Sequence, residues 1–322
     1  MFERNTAAGF SISKVFSPLV VNLPNIKLLR VPTHRSLLWS VIRNIIYIYE
    51  HRSKVGINHI NGEIHYGVIG LIGCKSIVTV HDLCMVDLNK GLKRWIKGLF
   101  WFVIPSKIVG RITCISEFTK KRFCEYTGYP KDKVSVIYNP VAPMFVFTPK
   151  IFNEKRPVIL HIGTRPNKNL ERVIEALSEM ECHLRIIGEI SEDIMESLAR
   201  ENIDYSVSKN LNDEEIVEEY KKCDIVSFPS LYEGFGMPII EGQAVGRCVV
   251  TSKLGPMPEI AGGAAILVNP YSVESIRSGF LQIIKNKTLR DEMIIRGRRN
   301  VDRFSLENIT SQYVALYENY IS

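Results

Sequence analysis

The sequence predicts an α/β protein made of two doubly wound, Rossmann-like domains that face an interdomain cleft. Three observations predict it. The chain has 322 residues, about two domains by the usual length prior. Its second half alternates short apolar runs with helical patterns, the rhythm of a parallel sheet covered on both faces. Its first half repeats one habit, an apolar run that ends on polar residues. With 46% hydrophobic residues and a mean hydropathy of +0.03, the composition suits a globular protein with real cores.

Along the first half, "KSIVTVHDL" (75–83), "RITCISEFTKKRF" (111–123) and "KVSVIYNPV" (133–141) read as strands running into polar ends. Between them, "KGLKRWIKGLFWFVIPSK" (90–107) reads as a helix that Pro105 is expected to end. Segment 140–157 holds several prolines, breaks both periods and reads as the linker. The expected division is an acceptor-binding domain over 1–145, a donor-binding domain over 146–305, and a helix over 306–322 that returns to the first domain. In the second half "PVILHIG" (157–163), "HLRIIG" (183–188), "DIVSFPS" (224–230), "RCVVTS" (247–252) and "AAILVNP" (264–270) read as strands. The helices between them are "NLERVIEALSEM", "SEDIMESLARE", "DEEIVEEYKKC" and "PIIEGQAVG", with a short turn at "MPEIAGG".

Charge divides unevenly. Residues 1–150 hold 21 Lys and Arg against 8 Asp and Glu, a net +13, and the remainder is −6. Such a first half suits an anionic partner: a phosphorylated substrate, a membrane surface or nucleic acid. No aromatic-and-basic recognition motif supports nucleic acid. The longest uncharged run, 134–149, is interrupted by prolines and falls short of the roughly 18 apolar residues needed to span a bilayer. No leader is read at Met1-Phe2-Glu3-Arg4. Seven cysteines without a CxxC pair read as reduced thiols, so a cytoplasmic protein is expected.

In sheets of this kind the ligand sits outside the carboxyl ends of the strands. The richest such place is "FPSLYEGFGMPIIEGQAVGRCVVTS" (228–252). Gly234 and Gly236, flanking Phe235, let backbone N–H groups approach an anion. Pro238 suits the first helical position, and the helix start then points at phosphate oxygens. Glu233 is repelled by phosphate and turns to neutral sugar hydroxyls. Glu241 sits one turn further on, where its carboxylate suits a vicinal diol such as ribose. Taken alone, two carboxylates near a helix start also serve to complement its dipole, at about 0.3–1 kcal/mol each. Spacing by itself leaves both readings open.

The stretch "LYEGFGMPIIEGQAVGRCVVTS", followed by "GPMPEIAGGAAILVNPYSVESI", resembles the donor-domain signature of the retaining GT-B glycosyltransferases of family four. The resemblance extends through "HIGTRPNKNLERVIEAL", "LRIIGE", "KKCDIVSFPS", "IVTVHDL", "CISEFTKKRF", "VSVIYNPV" and "FSLENITSQYVALYENY", from about residue 55 to the C-terminus in family order. It implies transfer of a hexose-type sugar from a UDP- or GDP-sugar to a glycan or lipid-linked acceptor, with retention, in surface polysaccharide synthesis. Glu233 and Glu241 match the family's E-x7-E pair. Lys168 matches its diphosphate-clamping cation, a role Arg165 shares less clearly. Gly163 and Gly188 fall at the strand ends that border the donor. His81 matches the histidine placed near the reacting sugar, with Asp82 and His65 on the acceptor side. Glu259 matches the block lining the donor pocket. No Asp-x-Asp metal motif is present, so neither metal nor cofactor is expected.

Two departures from the family pattern stand out. "AAGFSISKVF" replaces a Gly-rich loop, leaving Gly9 alone, and "YNPV" replaces an Asn-Gly turn. The competing readings are a catalytically silent nucleotide-sugar-binding subunit and a GT-B epimerase. Finally, Lys90, Lys93, Arg94 and Lys97 beside Trp95, Leu99, Phe100, Trp101 and Phe102 suit a segment that lies on an anionic membrane. A core helix with a basic outer face fits the same pattern. The membrane reading would place the protein on the inner membrane face.

Overall fold

The computed structural model describes residues 1–4, 12–23, 25–33, 37–87 and 89–321. Gly9 lies outside them. The chain forms two compact α/β units, one from Met1–Pro140 with Leu306–Ser322 and one from Val141–Ser305. The first holds six parallel strands: β1 (Phe2–Glu3), β2 (Leu29–Arg30), β3 (Asn58–Ile60), β4 (Ser76–Val80), β5 (Arg111–Cys114) and β6 (Val134–Val136). They are ordered β2-β1-β3-β4-β5-β6. The "SIVTV" of β4 is buried at every position, because a central parallel strand is covered on both faces.

The second unit holds β7 (Val158–Ile162), β8 (His183–Ile187), β9 (Tyr205–Ser208), β10 (Ile225–Phe228), β11 (Cys248–Ser252) and β12 (Ile266–Val268). All run parallel in the order β12-β11-β10-β7-β8-β9. The chain winds outward from β7 to one edge, then returns to β10 and winds outward to the other. The strand order therefore reverses between β7 and β10, where ligand crevices open in such sheets.

The 90–107 stretch departs from the expectation. Gly91–Gly98 is helical, Leu99–Val103 is a π-type turn, and Ile104–Ile108 continues as helix. Pro105 does not end it. In the wide turn the Ile104 N–H bonds Leu99 O, five residues back, so the backbone arrives at the proline already out of α register. The ring nitrogen cannot donate to Trp101 O, and His65 Nδ1 lies 3.1 Å from that oxygen instead.

The terminal helix Leu306–Ile321 buries Ile309 and Tyr313 in a cluster with Phe16, Leu19 and Leu23. A polar thread runs beneath it. His59 Nδ1 meets Tyr317 OH at 2.7 Å, His59 Nε2 meets Thr79 Oγ1 at 2.7 Å, and Thr79 Oγ1 meets Thr113 Oγ1 at 2.7 Å. In the second unit the helices Val273–Lys285 and Lys287–Val301 start at Ser272 and Asn286, whose side chains accept from Ser275 and Leu289 N–H.

Candidate active site

The loops after β7 and β10 are bolted together. Leu231 N–H donates to Asn167 O at 2.8 Å, and Asn167 Nδ2 donates to Tyr232 O at 3.0 Å. Asn169 is buried and its Nδ2 donates to Pro229 O (3.0 Å) and Pro270 O (2.7 Å), which adds the loop after β12. Its φ of 66° begins the helix Leu170–Leu177, a conformation that asparagine tolerates. Neither asparagine was singled out from the sequence. Only their place in "RPNKNL", directly after a strand, signals them.

On this platform Lys168 Nζ lies 2.7 Å from Glu233 Oε1, with Asn167 Nδ2 3.3 Å from the same oxygen. The ammonium also stands 4.8 Å from the Phe228 ring centroid, a favourable cation–π distance. Gly163 follows β7 at φ 89°, and a Cβ there would come within 3.1 Å of Lys168 Cγ. The glycine thus makes room for the lysine stem. Gly188 follows β8 at φ 144°, where a Cβ would meet Thr164 Cγ2 at 2.8 Å. Arg165 is exposed, and among the described residues none pairs with its guanidinium.

Gly236, at φ 116°, caps the helix Met237–Val245. Pro238 occupies its second position rather than its first, where the missing N–H is equally harmless. Gly234 precedes the helix with moderate exposure. Phe235 is buried edge-on against Phe304, at 5.8 Å between centroids. It anchors the loop to the core.

Glu241 is half-buried on this helix, and Tyr220 OH donates to its Oε2 at 2.5 Å. Loss of water around the carboxyl pushes its pKa up to about 7, against the Tyr220 bond and the positive charge of Lys168, which lower it. Tyr220 was missed in the sequence, where "EEYKK" looks like an ordinary helix surface. Glu259 sits on the short helix Met257–Ala261, and its carbonyl accepts from Arg303 at 3.3 Å.

The remaining candidates lie in the first unit. His81 is buried just past β4, its Nε2 2.7 Å from Asn61 Oδ1, with Phe16 edge-on at 5.5 Å. Burial drives its pKa down to about 3, so the ring is neutral. Asp82 Oδ1 accepts the Cys84 N–H at 2.8 Å, at the start of the helix Cys84–Asp87. The oxygen facing His81 Nε2 belongs to Asn61. His65, expected on the acceptor side, lies in the first unit. It is buried against Phe102, its ring nitrogens facing Trp101 O and Thr79 O at 3.1 and 3.3 Å, with its pKa lowered to about 4 by burial. Both nitrogens face main-chain carbonyls.

The chain is similar to known proteins in both of its units. Residues 146–300 match the family model described as "Glycosyl transferases group 1", and residues 7–144 match "Glycosyltransferase Family 4". An O-antigen chain mannosyltransferase B of Escherichia coli is 27% identical, covering 76% of this chain and 70% of its own. A glycosyltransferase structure from Rickettsia africae superposes with a TM-score of 0.78 at 20% identity, covering 100% and 98% of the two chains. Anabaena HepE, solved in complex with UDP, superposes with a TM-score of 0.81 at 14% identity, covering 99% of each chain.

Proposed function

We propose that this chain, which belongs to the group 1 glycosyltransferases of GT-B fold, is a retaining hexosyltransferase that uses a nucleotide diphosphate sugar, with mannose the leading sugar. The transferase activity follows from the family. The observation that carries the finer reading is the grouping of Lys168, Glu233 and Glu241 around the point where the strand order reverses.

In this reading the ribose diol bonds Glu241, and the diphosphate lies against Lys168 and the start of the helix Met237–Val245. Glu233 takes sugar hydroxyls. The anomeric C–O bond to phosphate breaks, and its electron pair leaves with the diphosphate. An acceptor hydroxyl oxygen bonds to the same face and gives its proton to the departing phosphate oxygen. Lys168 favours the step by meeting charge that builds on the leaving group. We assign His81 a catalytic part from its match to the family histidine; its ring is neutral and held through Nε2 by Asn61.

The mannosyl assignment draws on the E. coli relative, as does the proposed role in surface polysaccharide assembly. The UDP in the HepE structure makes a uridine nucleotide the alternative donor. The acceptor is a glycan or lipid-linked glycan. The domain containing 90–107 sits on the anionic inner membrane face in this reading, and no helix among the described residues is long and apolar enough to cross a membrane. Incubation with GDP-mannose, UDP-glucose and UDP-N-acetylglucosamine, with release of nucleoside diphosphate measured, tests the reaction. Release from GDP-mannose alone, with the anomeric configuration retained, is the expected result. Release from a UDP-sugar only removes the mannosyl assignment, and inversion removes the mechanism.

A further inference from the structure

We infer that Tyr220 is a positioning residue, whose hydroxyl holds Glu241 Oε2 so that Oε1 is presented to the ribose diol of the donor. The inference rests on the ribose reading of Glu241 above.

The phenol is fully buried and donates to Oε2 at 2.5 Å. Three contacts hold it in place. Phe145 meets the ring edge-on at 5.3 Å and 89°. Arg247 Nε donates to the Tyr220 carbonyl at 3.0 Å. The helix Asp213–Lys222 that carries the tyrosine is started by a capping box between Asn212 and Glu215. Among the described residues none bonds Glu241 Oε1. A carboxylate free to turn about its last torsion would have to be ordered by the ligand at an entropic cost. Here one oxygen is already fixed by the fold, and the other is the one left to bind.

The charged groups around Glu241 come from few elements. Tyr220 and Asp213 face it from one helix and Lys168 from the turn after β7. Tyr220 and Lys168 lower its pKa, and Asp213 raises it. The helix Lys287–Val301 reaches Gln243, not Glu241, through Asn300 at 2.8 Å. The helix Met257–Ala261 contributes Glu259, whose carbonyl is taken by Arg303. Strands β10 and β11 carry no Asp, Glu, Lys, Arg or His. Losing the phenol hydroxyl therefore leaves burial less opposed, and the carboxyl keeps its proton to higher pH.

The test is calorimetric titration of UDP and GDP into wild type, Tyr220→Phe, Glu241→Gln and the double variant, between about pH 5.5 and 8.5. Tyr220→Phe should bind roughly tenfold more weakly at pH 7, and its affinity should begin to fall at higher pH than in wild type. In the Glu241→Gln background, Tyr220→Phe should change nothing further. Phe145→Leu, which loosens the ring but keeps the hydroxyl, should give a smaller shift in the same direction. Unchanged affinity and pH profile in both Tyr220→Phe and Phe145→Leu, with Glu241→Gln impaired, would overturn the positioning role and leave the ribose reading standing. Wild-type affinity in Glu241→Gln, or no binding of either nucleotide to wild type, brings down the ribose reading and this inference with it.

Discussion

Lys168 and Glu233, 65 residues apart in sequence, form an ion pair at 2.7 Å in a half-buried loop junction. The sequence reading assigned them to opposite ends of a donor, the cation to phosphate and the carboxylate to sugar. Their contact means that each tunes the other. The carboxylate limits the positive charge available to a diphosphate, and the ammonium holds the carboxylate in place.

Lys168→Ala should lower kcat by about tenfold or more while nucleoside binding changes little, because a charge that meets a leaving group matters most in the transition state. Glu233→Gln should also lower turnover. The double variant should lose less than the two single losses combined, since each single change strands a partner. Steady-state rates of the four proteins check this, and full additivity would separate the two residues functionally.

Glu241→Gln should trade function for stability in a pH-dependent way. The folded carboxyl titrates near 7, above its ordinary 4.5. A raised pKa contributes stability that is fully present below the unfolded value and lost as pH rises through the folded one. The variant should therefore melt at higher temperature than wild type at pH 8 and show no such gain at pH 4.5. Thermal melts at the two pH values decide it.

The buried histidines act in the opposite sense. Burial lowers His59, His81 and His161 to about 3 and His65 to about 4, from an ordinary 6.5. Their contribution is present above 6.5 and lost as pH falls toward those folded values. Urea midpoints should drop steadily below pH 6.5. His161→Gln should flatten part of that slope, because His161 sits within β7 with Nε2 unpartnered.

Trp95→Glu should reduce recovery with anionic liposomes while leaving the melting temperature near wild type, since Trp95 is 61% exposed. Leu92, Ile96 and Phe100 are also exposed there. Co-sedimentation with phosphatidylglycerol and phosphatidylcholine vesicles, at low and high salt, reads the effect. Wild type recovered in the supernatant with both lipids would remove the membrane from the proposed function.

Much of the second unit was legible because β7, β8, β10 and β11 are apolar runs with glycine or polar residues at their carboxyl ends. The edge strand β9 was not, since "YSVS" is only half-covered and carries little apolar signal. The helix Lys287–Val301 was hidden for a different reason. It buries Arg290, which donates to Ile283 O and Ile284 O at 2.9 and 2.7 Å, so its inward face does not read as apolar. β1 and β2 have two residues each, too few to show a period. In the candidate site the motif residues were legible one by one. Their partners were not: Tyr220 beneath Glu241, Asn61 on His81 and Asn169 across three loops depend on contacts that spacing does not encode.

The terminal helix has a consequence for how the chain is made. Residues 1–140 emerge first during synthesis, yet the compact unit they build also includes Leu306–Ser322. Until that helix arrives, Phe16 and Leu19 lack the cover of Ile309 and Tyr313, and His59 lacks Tyr317. The contiguous 141–305 unit has all its segments sooner, so it is the part equipped to fold autonomously. A ribosome stalled before residue 306 would therefore hold a finished second unit and an open first one, and protease sensitivity should concentrate in the earlier-made half.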